Sequence, residues 1–307
     1  MLRIDFFLNL WYNTNNLDYG VVVLRSIFMR YPGGKAKAVT FSYDDGVSQD
    51  KRLVELFDKY GMKATFNFNS VKMRGGYSKQ EIKDIFLSKG HEIAVHGANH
   101  RANGNLRPIE GIRDVLDCRL ELEERCDSII RGMAYPDTGI TLMGNFGNYS
   151  QIKNYLSELD IAYARTLAGD NDNFMLPDDF YAWMPSAHHN NPKIMEYIDK
   201  FLAIDISEKA HHARRVPRLL YIWGHSYEFD RNNNWEHMEE ICKRLASNDE
   251  IWYATNIEIY DYVQAYKSLR YSANGLKIYN PTLYTIWIDV DSRLYAIKSG
   301  ETVCIEN

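Results

Sequence analysis

Two adjacent acidic residues stand where the chain leaves its first predicted β-strand. Asp44 and Asp45 follow a hydrophobic run and are themselves followed by Gly46. Neighbouring carboxylates on an extended segment point to different sides, so one can bind a metal while the other faces a water molecule. The same three residues are also ordinary turn and helix-capping chemistry, so the pair alone does not establish a site.

A pair of histidines ends another predicted strand. His96 and His100 are four residues apart, a spacing that lets two neutral imidazoles bind one ion. In a parallel sheet they would lie at the same edge as Asp45. Two histidines and one carboxylate leave coordination positions open for water and substrate, which is typical of a catalytic divalent metal.

A third histidine, His225, follows the hydrophobic run 219–224. An imidazole with an ordinary pKa of about 6.5 can carry a proton at neutral pH and give it to a departing amine. The alternative is a buried, hydrogen-bonded histidine with no part in chemistry. Read together with the first two motifs, His225 is a candidate general acid.

The elements that must position these residues alternate along the chain. Strands are predicted near 37–43, 64–69, 92–96, 131–136, 161–166, 182–186, 218–225 and 251–255. Helical spacing is found at 49–60, 79–89, 109–127, 148–158, 192–204, 235–247 and 257–269. This alternation predicts an α/β protein, a distorted (β/α) barrel of about seven parallel strands. In the third helix, the predicted apolar stripe consists of Ile109, Ile112, Leu116 and Leu120.

The two ends of the chain differ from this pattern. From about Gly275 the period changes, and alternating apolar residues up to Val290 predict a small C-terminal β appendage. The predicted divisions are an N-terminal extension (1–34), the barrel (35–270) and the appendage (271–307). Because residues 1–28 fit the barrel pattern poorly, a native translation start near Met29 is a further hypothesis.

Composition narrows the possible partners. With 36 basic and 41 acidic residues interspersed, the net charge is −5, and no basic face for nucleic acid is evident. The four widely spaced cysteines include no C-x-x-C pair and are predicted to be free thiols. We see neither a signal-peptide cleavage site nor a membrane-spanning run. We therefore expect a carbohydrate or small amide partner, no nucleic acid, no membrane span and a cytoplasmic location.

The motifs resemble those of the polysaccharide deacetylase family, also called the NodB-homology domain. The first family motif corresponds to 40–46, with extra residues between the phenylalanine and the aspartate pair, and the second is intact at His96 and His100. The similarity extends over about residues 35–265. It implies a distorted barrel and a divalent metal, zinc first, with cobalt or nickel as alternatives. The metal ligands that it implies are Asp45, His96 and His100.

The resemblance also implies that Asp44 is the general base and His225 the general acid. One family feature is missing, because the arginine that normally orients the base corresponds to Ala134 when the chains are aligned on Pro136. Arg131 and Arg165 are the candidates to replace it, and we favour Arg165. The backbone N–H at Tyr135 is a candidate donor to the reaction's oxyanion. The predicted substrate-binding residues are Tyr135, Pro136, Trp183, His188 and Trp223, with His189 as a further pocket candidate.

Together these features predict a metal-dependent hydrolase of non-peptide carbon-nitrogen bonds that deacetylates an N-acetylated sugar or polysaccharide. Two alternatives stay open. One is an amidohydrolase that acts on a non-sugar small amide or ureide. The other is a non-catalytic carbohydrate-binding protein with a decayed site.

Overall fold

The computed structural model describes residues 25–71, 76–167, 171–206 and 215–306. Its strands, in chain order, are β1 Ile27–Arg30, β2 Lys37–Asp44, β3 Ala64–Phe68, β4 Glu92–Val95, β5 Gly132–Ala134, β6 Tyr163–Arg165, β7 Ala187–His188, β8 Arg218–Gly224, β9 Ile251–Tyr253, β10 Arg270–Tyr271, β11 Lys277–Tyr279, β12 Ile286–Val290, β13 Arg293–Ile297 and β14 Thr302–Cys304.

The helices are α1 Asp50–Tyr60, α2 Lys79–Glu81, α3 Pro108–Cys126, α4 Tyr149–Glu158, α5 Ile194–Leu202, α6 Tyr227–Asn232, α7 Trp235–Leu245 and α8 Asn256–Lys267. Helix α2 continues into a π turn (Ile82–Phe86) and a 3-10 turn (Leu87–Lys89). Every predicted helix is present within a few residues. The short helix α6 is an addition that the spacing did not predict.

The central sheet is parallel and runs in the order β6-β5-β4-β3-β2-β8-β7, with β9 paired to the start of β2. These strands curl into a half-barrel, so the predicted fold class is confirmed. The segment 183–189 connects the two sheet edges: the Trp183 N–H donates to the Ala164 carbonyl (3.1 Å), and the His189 N–H donates to the Trp223 carbonyl (2.8 Å). The strand predicted at 182–186 lies slightly later in the chain, at β7.

Strand β2 is at the centre because it can be buried on both faces. All eight of its residues are buried, as is typical of a parallel strand covered by helices on each side. Phe41 packs its ring against Phe57 of α1, with the centroids 4.8 Å apart. The strand ends at Asp44, so its carboxyl end brings the acidic pair to one edge of the sheet.

Helix α3 buries a different face from the predicted one. Ile109 is 59% exposed and Leu120 is 56% exposed, so the predicted stripe is wrong at both ends, whereas Ile112 packs partly buried against the core. A Cβ on Gly111 would lie only 2.5 Å from the Tyr155 hydroxyl, so the glycine permits close approach of α4. The face of α3 that packs against α4 and β4 is therefore rotated about the helix axis from the predicted face. The residues that it buries are Gly111, Asp114, Val115, Cys118, Leu122 and Cys126.

The C-terminal strands form two small antiparallel sheets. The predicted alternation is present in β12, whose Ile286, Ile288 and Val290 are buried. Strand β1, which contains Met29, pairs with β12 in the order β1-β12-β13. The domain divisions and the Met29 start stay predictions, and residues 1–24 lie outside the described residues. The four cysteines are free thiols, and no helix in the described parts of the chain is long and apolar enough to cross a membrane.

A buried ion cluster joins the β1-β12-β13 sheet to the chain before β8. Asp289, 3% exposed, accepts hydrogen bonds from Arg30 (2.7 Å) and from Arg215.

If Asp289 is changed to Ala, two buried guanidinium groups lose their counter-charge, and we expect the free energy of unfolding to fall by about 3–5 kcal/mol. Urea denaturation measures this. The control is Glu306→Ala, which breaks an exposed pair with Arg293 and should cost no more than about 1 kcal/mol. Equal losses of stability in the two variants would contradict this role of Asp289.

Glu92 gives a pH-dependent test of the core. Burial raises the pKa of Glu92 to about 7, despite hydrogen bonds from the Thr65 and Tyr163 hydroxyls and the Ile257 N–H. Since the unfolded-state pKa is about 4.3, the native state binds the extra proton. Wild type should therefore lose stability relative to Glu92→Gln as pH rises from about 4.3 to 7, by up to about 3 kcal/mol, with no further loss above. Urea denaturation of both proteins at pH 5 and pH 8 checks this, and a constant difference would refute it.

Candidate active site

The acidic pair at the end of β2 is divided between two sets of partners. At Asp45 the backbone turns out of the strand with φ 81°, in the left-handed region that Asp tolerates better than most residues. The Asp45 N–H donates to the Asn67 carbonyl (3.0 Å), and the Asn69 amide donates to Asp45 Oδ1 (3.2 Å). The turn therefore separates the carboxylate of Asp44 from that of Asp45.

The structure brings Asp45, His96 and His100 together. Asp45 Oδ1 is 3.7 Å from His96 Nε2 and 3.3 Å from His100 Nε2. One ligand atom from each residue lies within 4.8 Å of the others. His96 Nδ1 is 2.9 Å from the Ala134 carbonyl, which assigns the proton to Nδ1 and leaves the Nε2 lone pair facing Asp45. These donors fit zinc or a similar divalent cation.

The loop between the two histidines is held by Asp114 of α3. Its Oδ1 accepts the Asn99 N–H (2.8 Å), and its main-chain carbonyl accepts the Ala98 N–H (3.0 Å). Gly97 has φ 67°, and a Cβ there would collide with the Asp114 carboxylate and lie 3.1 Å from Pro136. Pro136 therefore packs against this loop. Asp114 was not among the predicted site residues. The only indication in the sequence is that an acidic residue stands among the apolar residues of a predicted helix.

Asp44 is bound to Arg165. The Arg165 guanidinium donates to Asp44 Oδ2, and the Asn67 amide donates to Oδ1 (2.8 Å). Arg165 is fully buried, with its guanidinium carbon 4.5 Å from the centre of the Trp223 ring. Burial alone would raise the pKa of Asp44, but the charges of Arg165 and the nearby histidines outweigh it, and the pKa is lowered. Asp44 is therefore held as a carboxylate.

The position of Arg165 explains how it reaches Asp44. Arg165 in β6 is the direct register partner of Ala134 in β5, the position where the family arginine is missing. A side chain from the neighbouring strand can thus occupy the same region. Arg131 instead lies 3.3 Å from Asp160 and 3.7 Å from Asp261, in partly exposed ion pairs.

His225 follows β8 and lies beside Glu228 of α6. Its Nδ1 is 3.6 Å from Glu228 Oε1. Burial by itself would lower the pKa of His225, but Glu228 together with Asp44 and Asp45 outweighs that effect and raises it. The same Glu228 contacts Nε2 of His188 and of His189, each at 3.1 Å. Glu228 follows His225 by three positions in the sequence.

The other predicted substrate-binding residues differ in placement. The Tyr135 N–H donates to the Arg165 carbonyl (3.0 Å), so it is not free for an oxyanion, contrary to that prediction. The Tyr135 side chain is buried, and its hydroxyl donates to the Tyr181 carbonyl (2.9 Å). Trp183 is 1% exposed and packs against the Tyr163 ring, so it is a core residue and not part of a pocket.

His188 and Trp223 remain near the candidate site. The His188 side chain is 26% exposed and meets the Trp223 ring edge to face, with the centroids 4.8 Å apart. Trp223 itself is 8% exposed and lies between His188 and Arg165. His189 is fully enclosed between Tyr43 and the α6 residue Phe229, so it supports the site from behind.

A protein-family model matches part of the chain that contains these motifs. The model of the polysaccharide deacetylase family matches residues 31–142, which contain the acidic pair, His96 and His100. The resemblance predicted from the sequence is confirmed for this segment. The search of curated proteins returned no match.

Several solved structures are similar to this chain at low sequence identity. A presumed polysaccharide deacetylase from Mycobacterium smegmatis is 17% identical, with a TM-score of 0.52, over 77% of this chain and 93% of that one. An acetyl xylan esterase from Clostridium thermocellum, in complex with cobalt, is 16% identical (TM-score 0.46; 73% and 90% covered). A CE4 family pseudoenzyme from Bacillus anthracis is 11% identical (TM-score 0.44; 76% and 68% covered). At 17% identity, the likeness to the Mycobacterium smegmatis structure shows the fold alone.

Gly224 supplies a test of the packing behind His225. A Cβ on Gly224 would lie against the His189 ring, well inside van der Waals contact. Gly224→Ala should therefore lower the free energy of unfolding by about 1–3 kcal/mol, measured by urea denaturation. The matched comparison is the same change in a His189→Ala background, where the clash is absent and the cost should largely disappear. Equal costs in both backgrounds would show that this contact is unimportant.

Proposed function

We propose that the protein is a divalent-metal-dependent hydrolase that removes acetyl groups from an N-acetylated sugar or polysaccharide. The observation that carries the proposal is the position of the Asp44 carboxylate. It is paired with buried Arg165 on one side and lies 3.9 Å from His96 Nε2 on the other. A carboxylate that is kept charged beside candidate metal ligands suits a general base better than a structural group.

Asp45, His96 and His100 would hold the cation. When bound, a divalent cation polarises the acetyl carbonyl and lowers the pKa of water. Asp44 accepts the proton of the attacking water, and Arg165 with Asn67 fixes the orientation of the carboxylate. Both Asp44 oxygens already have a protein donor, so the carboxylate is positioned before substrate arrives.

His225 protonates the departing nitrogen in this proposal. Its pKa is raised, so more of the imidazolium form is present at neutral pH than for an ordinary histidine. Because Nδ1 faces Glu228, Nε2 is left as the proton donor toward the substrate. Asp44 and His225 thus perform opposite proton transfers from two different strand ends.

The two alternative functions differ in whether they use the same base, acid and metal ligands. An amidohydrolase acting on a small amide or ureide would use the same base, acid and ligands, and the described residues do not favour it over a sugar deacetylase. A decayed carbohydrate-binding site is less well supported, because Asp44 still has Arg165 and Asn67 in place and His96 still has its carbonyl partner.

The proposal is tested by separating proton transfer from metal binding. Asp44→Asn keeps the shape of the side chain but cannot accept the proton, so kcat/KM for acetate release from N-acetylglucosamine oligosaccharides should fall by about 100- to 10,000-fold. Metal content, measured by elemental analysis, should stay at the wild-type level. The matched control is Asp45→Asn, which should lose metal. Loss of metal in Asp44→Asn, or unchanged turnover, would refute these roles.

A further inference from the structure

A second group of side chains that could bind a metal includes the candidate general acid itself. His188, His225 and Glu228 each place one ligand atom within 4.8 Å of the others. They come from β7, from the end of β8 and from α6, so the group is assembled by the fold and not by one turn of chain. It shares no ligand with the group formed by Asp45, His96 and His100.

The spacing within this group suits a small divalent cation. Zinc binds imidazole nitrogen and carboxylate oxygen at about 2.0–2.2 Å, which places the ligands of a tetrahedral site about 3.3 Å apart. His188 Nε2 is 3.1 Å from Glu228 Oε2, and His225 Nδ1 is 3.6 Å from the other carboxylate oxygen, Oε1. The three atoms that would bind one ion lie within 4.8 Å of one another, so small side-chain movements bring them to this spacing. Imidazole and carboxylate together favour zinc, copper, nickel or cobalt over magnesium or calcium.

The surroundings of Glu228 supply the supporting contacts that such a site needs. Glu228 is 8% exposed, and the enclosed His189 lies 3.1 Å from its Oε2. The Asn190 amide donates to the same oxygen (3.3 Å). These groups fix the direction of the carboxylate, as the outer contacts of protein metal sites commonly do.

Two features oppose the cation and set what must change when it binds. Arg231 lies 3.5 Å from Glu228 Oε1, but its side chain is 62% exposed and is free to turn into solvent. The Asn190 N–H donates to His188 Nδ1 (3.1 Å), so the His188 proton is on Nε2 and must move to Nδ1. The loss of this one hydrogen bond is small beside the binding free energy of a structural zinc site.

We propose that His188, His225 and Glu228 form a second divalent-metal site, selective for zinc and related ions. The ion binds Nδ1 of His225, the nitrogen that faces Glu228. The positive charge of the ion disfavours the protonated, imidazolium form of that histidine. Filling the site therefore removes His225 as a proton donor. This consequence rests on the proposed deacetylase function, whereas the site itself does not.

The site is tested in a His96→Ala/His100→Ala variant, which lacks the first ligand group. After treatment with chelator, this variant is titrated with Co²⁺ alone and followed by visible absorption, and its zinc content is measured by elemental analysis after gel filtration. We expect one ion per chain. Adding His188→Ala, or Glu228→Gln, should weaken binding at least tenfold, whereas adding His237→Ala, a neighbouring histidine outside the group, should not.

Absence of metal from the folded double variant, or equal binding after His188→Ala, would overturn the site. Circular dichroism verifies folding, and His188→Ala is the milder of the two changes because its side chain is partly exposed. This assay measures metal binding and not turnover. The second metal site can therefore be disproved without disproving the deacetylase function. For the consequence, excess zinc should inhibit the active wild-type protein with the dissociation constant of the second site. Full occupancy with unchanged kcat would refute it.

Discussion

The buried charge of Asp44 is the constraint on which the rest of the candidate site depends. A carboxylate that is 2% exposed cannot stay ionised without a counter-charge and hydrogen-bond donors. Arg165 supplies the charge and Asn67 the second donor. Arg165 is in turn fully buried and rests on Trp223, so three strands must keep their register for the pair to exist. The fold and the chemistry are thus linked through one ion pair.

The remaining site residues follow from the same parallel sheet. Strand ends deliver the acidic pair, the two histidines and His225 to one edge, and interactions behind them fix their directions. Asp114 holds the His96–His100 loop, and Glu228 stands behind His225. Each of these supporting carboxylates lies on a helix that comes after a strand of the sheet: α3 comes after β4, and α6 comes after β8. The strands bring the site residues close to one another. The positions of the helices then determine how the His96–His100 loop and His225 are oriented.

The sequence predicted the elements well because their signals are local. Strand-end motifs, the period of β12 and the positions of most helices depend on a few neighbouring residues, and they are present in the structure. Arg165 could be favoured from its place at an adjacent strand end. The buried face of α3 could not be assigned correctly, because it is set by close approach of Tyr155 to Gly111, a tertiary contact. Trp183 and the Tyr135 N–H were misjudged for the same reason: both are used in sheet and core packing.

The proposed function requires Asp45, His96 and His100 to hold a divalent cation beside Asp44. The most direct measurement is an anomalous difference map, recorded at the zinc absorption edge, from crystals grown with one equivalent of zinc. We expect the strongest peak at about 2.0–2.2 Å from Nε2 of both histidines and from the Asp45 carboxylate. A map with no peak there, or with zinc bound only elsewhere, would contradict it.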